Sequence, residues 1–172
     1  MLAALASLWS DRRGAAAAEM ALVTPFLVVL MFGSFELGKY FLDEHVVVKA
    51  VRDGARFAAR QSFATMPCGG SPANDTQIKN LVRYGKVTVT GTDQPRLQYW
   101  TSPATITVTI DCYDNSGDDG ARVYGGVYSE RASVPHVRVS ATVPYQPLVG
   151  AIGFNATGLS LNASNQAPVF GI

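Results

Sequence analysis

The chain has 172 residues and a formal net charge of +1, room for one domain of ordinary size or a small domain with an anchor. A charge this close to zero gives no electrostatic ground for nucleic acid or for an acidic partner. Charged residues make up 16% of the sequence, well below the roughly 25% of an average soluble protein.

Met20 to Phe35 carries no charge and is bounded by Glu19 and Glu36. With Ala15 to Ala18 added, the stretch measures about 31 Å as a helix, close to the hydrocarbon thickness of a bilayer. A buried core helix and a cleaved secretory signal are the alternatives. The signal is disfavoured because "MFGSFELGKYF" is bulky and acidic where a cleavage site needs small residues. Pro25 lies inside the run and cannot donate to the carbonyl of Ala21. A kink or a locally melted turn is expected there, with Thr24 available to satisfy the freed carbonyl. Arg12 and Arg13 precede the span, and Lys39, Lys49, Arg52 and Arg56 follow it. The raw count favours cations on the far side. Only Lys39 is close to the span, however, and Asp43, Glu44 and Asp53 are interleaved with the later cations. The carboxy-terminal domain is therefore placed on the exported side.

Beyond the span the pattern stays helical. Leu37, Phe41, Val48, Val51, Ala55 and Ala58 recur at three- and four-residue spacing, so one helix is expected from about Ala15 to Arg60. Its segment 15–36 would cross the membrane, and its continuation 37–62 would lay one stripe on a domain spanning 63–172. Gly38 and Gly54 weaken it locally.

In the exported part, "MPCGGSPAND" is loop chemistry. A short helix, "TQIKNLVRY", follows, capped by Asn74 or Asp75 and ended by Gly85. The period then changes to two at 86–91, 104–113 and 136–145, and more weakly at 158–163. Cys68 and Cys112 form no CxxC and have no histidine nearby, which disfavours zinc. A structural disulfide in an oxidising compartment is expected, with two separate buried thiols as the alternative. The expected fold is α+β: a long amino-terminal helix packed on an antiparallel sheet of about four strands.

Asp114, Asp118 and Asp119 could offer oxygens to calcium, but the 111–120 loop lacks the glycine and glutamate of an EF-hand loop. Tyr113, Tyr124 and Tyr128 could form a contact surface or cover the sheet end. The histidines are His45 and His136 alone, and no GxSxG, HExxH, GxxxxGKS/T or GxGxxG is present. We expect no enzyme, no cofactor and no metal.

"RRGAAAAEMALVTPFLVVLMFGSFELGKYF" resembles the TadE/TadG-like family, minor pilin-like proteins of the tight-adherence (Flp, type IVc) pilus system. Members typically read G-x-x-A-x-E-F-A-L-V-x-P, an apolar run, then G-x-x-E-x-G. Gly14, Ala17, Glu19, Ala21, Leu22, Val23 and Pro25 match the first part, and Gly33, Glu36 and Gly38 match the second. Met20 replaces the usual phenylalanine or tyrosine, and Thr24 a commoner leucine. The resemblance implies a pilin-like fold and a cytoplasmic leader, residues 1–14, held at the anionic inner surface by Arg12 and Arg13. It implies prepilin peptidase cleavage between Gly14 and Ala15, with Glu19 and Met20 at the subunit-assembly position. There Glu19 would meet the new amino-terminal ammonium of a neighbour, because an unpaired carboxylate in the bilayer is costly. The bland alternative is that Glu19 snorkels to lipid headgroups or to Arg13. Glu36 would end the span, with Lys39 as a partner. The partners implied are other pilin and minor pilin subunits, the peptidase, the inner-membrane assembly platform and the lipid bilayer. The location implied is the bacterial inner membrane, with a periplasmic domain that could enter a surface pilus. The competing expectation is an unprocessed single-pass envelope protein whose exported domain binds a ligand or a surface.

Overall fold

The computed structural model describes residues 12–117, 120–148, 150 and 158–171. Leader residues 1–11, the side chains of Arg12 and Arg13, and Asp118 and Asp119 of the acidic loop lie outside the described residues. One helix, α1, runs Arg12–Ala59 over 48 residues, about 72 Å at 1.5 Å per residue. It passes through Pro25 as helix, without the melted turn that was one expectation there. Thr24 Oγ1 donates to the carbonyl of Met20 at 2.6 Å, not to that of Ala21 as expected.

The two ends of α1 have different surroundings. Every described side chain from Gly14 to Met31 is exposed. Val47, Ala50, Val51, Ala55, Ala58 and Ala59 are buried. The stripe expected at Val51, Ala55 and Ala58 is therefore present, but Leu37 and Phe41 are exposed and Val48 is half-buried. The packed face instead descends through Val47, Asp43, Tyr40 and Glu36, all buried or half-buried. It was missed because its lower part is polar, and the domain meets it there with hydroxyls and a backbone N–H.

A second helix, α2, is Asp75–Tyr84. Gly85 ends it as expected, at φ 77°, with its N–H bonded to the carbonyl of Leu81 at 2.9 Å. Asn74 occupies the N-cap position, but its side chain makes no cap hydrogen bond, contrary to expectation. Ile78 and Val82 of α2 are fully buried against α1. Gly54 allows this approach, because a Cβ there would stand 2.4 Å from Val82 Cγ2.

The sheet has three strands in the order β1–β2–β3: Ile106–Asp114, Ser133–Pro144 and Ser160–Pro168, all antiparallel. The fold is α+β as expected, with three strands in place of about four. Residues 86–91 alternate in sequence yet form no strand. Asp93 folds the segment back: its carboxylate accepts from the N–H of Thr90 at 2.8 Å and pairs with Lys86. The segment up to residue 105 is a strap fixed by Arg96, which reaches Asp53 at 3.0 Å, and by the buried Trp100, whose Nε1 donates to Thr105 at 2.8 Å. The weak fourth pattern proves to be a full strand, because its register places Leu161 beside Val143 and Ala163 beside Ala141. Val137, Val139, Ala141 and Val143 of β2 are buried in the same core as the α1 stripe. Each fully buried valine contributes about 1.5–3 kcal/mol.

Cys68 and Cys112 are joined in a disulfide, with Cα atoms 5.7 Å apart across 44 residues. It ties the loop after α1 to the end of β1. Beside it, Phe170 N–H donates to the carbonyl of Ala59 at 2.8 Å, satisfying one orphan acceptor at the end of α1.

Candidate functional site

The candidate site is the lower half of α1, with two carboxylates of opposite character. Glu19 lies near its start and is exposed, as are Ala15 and Met20. A Cβ on Gly14 would meet nothing within 4 Å. Gly33 and Gly38 are equally open, so the chain's own packing gives no reason for these glycines. Thr24 and Ser34 bond their hydroxyls to carbonyls one turn back, at 2.6 and 2.7 Å. No hydroxyl is thereby left pointing outwards unpaired, which is what an apolar surrounding demands.

Glu36 is held by the domain. Its carboxylate accepts the hydroxyl of Tyr145 and the N–H of Leu148, the latter at 2.9 Å to Oε2. Two turns above, Asp43 accepts the hydroxyl of Tyr99 at 2.8 Å and pairs with Lys39. The Lys39 ammonium lies 5.2 Å from the ring centroids of both Tyr99 and Tyr145, and Tyr40 meets Tyr145 edge-on at 5.2 Å. Lys39 thus forms its ion pair with Asp43. Burial, and then the carboxylate each faces, push the phenols of Tyr145 and Tyr99 well above their ordinary range. Both stay protonated as donors, and the result is a collar joining α1 to the segments 96–99 and 145–148.

Sequence reasoning missed this collar. The Lys39–Asp43 spacing of four was a signal for an ion pair, but nothing local couples Glu36 to a tyrosine 109 residues away. It also missed Asn115, fully buried at the other end of the sheet. The Asn115 amide donates to the carbonyls of Tyr124, Tyr128 and Arg131 and accepts the N–H of Tyr124 at 2.6 Å. It organises the loop in which calcium ligands were considered. Asp114 there already accepts the N–H of Ser116 at 2.9 Å, which holds its carboxyl below the usual range. Of the three tyrosines, Tyr128 donates to the carbonyl of Val169, Tyr113 stacks edge-on at His136, and Tyr124 is exposed. They form no common surface patch with one another through ring contacts, and two of them close the sheet end. Among the described residues no group of His, Cys, Asp and Glu is placed to hold a metal ion.

The sequence profile of the family described as TadE-like protein matches residues 14–56. Over those residues the chain is similar to the TadE-like family. The match begins at Gly14 and ends at Arg56, so it covers the bare half of α1, the collar residues Glu36 to Asp43 and most of the buried stripe. The three strands lie outside it. No curated protein and no solved structure matches the chain. The similarity points in general terms to the tight-adherence pilus system, and the apolar, unburied first half of α1 fits a membrane anchor.

Proposed function

We propose that this chain is a minor pilin or pseudopilin that supports the assembly, priming or tip formation of a tight-adherence pilus, and that it is not an enzyme. The observation that carries the reading is a helix left bare by its own domain from Gly14 to Met31, inside a TadE-like match that starts at Gly14. A helix with no partner of its own fold is suited to lipid first and to neighbouring subunits later. In this reading Arg12 and Arg13 keep the leader on the cytoplasmic side of the inner membrane, and the sheet domain is periplasmic, where the Cys68–Cys112 bridge persists. Prepilin peptidase cuts between Gly14 and Ala15. The exposed Glu19, beside Met20, then pairs with the new ammonium of a neighbour. Pro25 permits bending at the assembly platform.

The test is the intact mass and amino-terminal sequence of the protein from membranes with and without prepilin peptidase. A start at Ala15 only with the peptidase is expected. A start at Met1 in both would make the protein an unprocessed single-pass envelope protein with an exported binding domain.

A further inference from the structure

We propose that the sheet domain itself rests on the bilayer, with the β2–β3 end beside α1 embedded in the interfacial layer of the leaflet on the domain's side. The inference rests on the anchor reading of α1 and needs neither cleavage nor filament assembly.

Depth is set by α1. Its charge-free run ends at Phe35, and Glu36 is the first charge beyond it. Leu148 N–H donates to both Glu36 oxygens, at 2.9 and 3.2 Å, which fixes Leu148 at that level. Leu159 lines an open apolar groove with Gly33, Leu37 and Tyr145. Gly33 is three residues inside the charge-free run, about 4.5 Å deeper than Glu36. Two leucines from the connection between β2 and β3 thus stand level with the end of the span. Their side chains are not used by the domain: Leu148 is 61% and Leu159 51% exposed.

The helix carries the same surface upwards. Leu37, Phe41 and Leu42 follow the first charge and are at least half exposed. They occupy about 9 Å of helix above Glu36, comparable to the roughly 5–7 Å of headgroup region on each side of a bilayer. Tyrosines and a lysine ring this level in the collar, the side chains with an apolar body and a polar tip that favour an interface. The sequence is also depleted of charge around the two leucines: no Asp, Glu, Lys, Arg or His follows Arg138.

The occupant is lipid because the patch continues the surface of the span without a break, and Glu36 fixes the domain against the helix at that height. A domain standing clear of the membrane would leave this apolar rim in water.

The test uses the full chain in phosphatidylcholine–phosphatidylglycerol vesicles, with the native disulfide left oxidised and one added cysteine carrying an environment-sensitive fluorophore. The variants are Leu148→Cys, Leu159→Cys, Leu27→Cys in the span, and Val123→Cys, exposed in the loop at the opposite end of the sheet. Labels at 148 and 159 are expected to be quenched several-fold more by lipid carrying a nitroxide near the top of the acyl chain than by aqueous iodide, with the reverse at 123. If 148 and 159 respond to iodide as 123 does while 27 stays lipid-quenched, the proposal fails and the anchor reading survives. If 27 also responds to iodide, both fail. If protection at 148 and 159 disappears at one chain per vesicle, a second copy covers the patch and the proposal is overturned.

Discussion

The two halves of α1 belong to one helix and one family match, yet they obey different physics. From Val47 to Ala59 the helix is fitted to a sheet and a second helix, and its small residues are set by close approach. From Gly14 to Met31 every described side chain is exposed, and a Cβ on Gly14 would meet nothing within 4 Å. A glycine in the upper half is therefore a packing residue. A glycine in the lower half is free for whatever lies outside the chain. The collar at Glu36 to Asp43 is the border, where polar groups of α1 are satisfied by tyrosines rather than by water.

The comparison breaks first at the top, where the loop after α1 is tied covalently to the end of β1. Replacing Cys68 and Cys112 together by serine should destabilise the domain by about 2–4 kcal/mol, given the length of the loop closed. Urea unfolding of the full chain in detergent measures this. Glu19→Gln in the same assay should leave the midpoint unchanged, since Glu19 is exposed on the bare half.

A smaller contrast separates the two glycines. Gly54→Ala must displace the Val82 methyl 2.4 Å away, and overpacking of this kind typically costs about 1–3 kcal/mol. Gly38→Ala meets nothing within 4 Å and should leave the domain's midpoint unchanged or slightly raised, as alanine favours helix by up to about 1 kcal/mol. Equal losses from both would mean that the buried stripe and the collar level of α1 do not differ as described.

The smallest effect is expected at the border. The phenols of Tyr145 and Tyr99 are raised above the ordinary 10.0. Folded, they keep protons that the unfolded chain begins to lose near 10.0. Their contribution is therefore complete below that pH and is lost as pH rises through it towards the folded values. Thermal melts of the wild-type chain from about pH 8 to 11 should show the decline, and Tyr145→Phe should flatten it at a cost on the order of 1 kcal/mol at neutral pH.

Much of this could be read from the sequence where the signal was local. The long helix, the apolar segment with its two bounding glutamates, the cysteine pair and the strands around Val108 and Val139 all follow from periodicity, charge spacing or composition. The segment 86–91 misled because alternation alone does not make a strand. Asp93 gave that backbone a turn to satisfy instead. β3 was underestimated because "SLNASNQAP" is poor in apolar residues, and it is a strand chiefly because β2 supplies its partners. The helix stripe was misphased below Val47 for the same reason. Its lower members are Glu36, Tyr40 and Asp43, which look like a solvent face until Tyr145 and Tyr99 arrive from far along the chain.

The sequence by itself determined a charge-poor helix long enough to cross a bilayer, the placement of Gly14, Glu19 and Pro25 along it, and a sheet domain beyond. Those properties depend on neighbours within a few residues, where helix and strand periods are set. Only the tertiary structure decided which face of α1 the domain covers, that Gly54 and not Gly38 is required for packing, and that Glu36 is bound by Tyr145 and Leu148. Each of these is a contact between residues distant in sequence, and its energy depends on which surfaces meet, a property no local pattern carries.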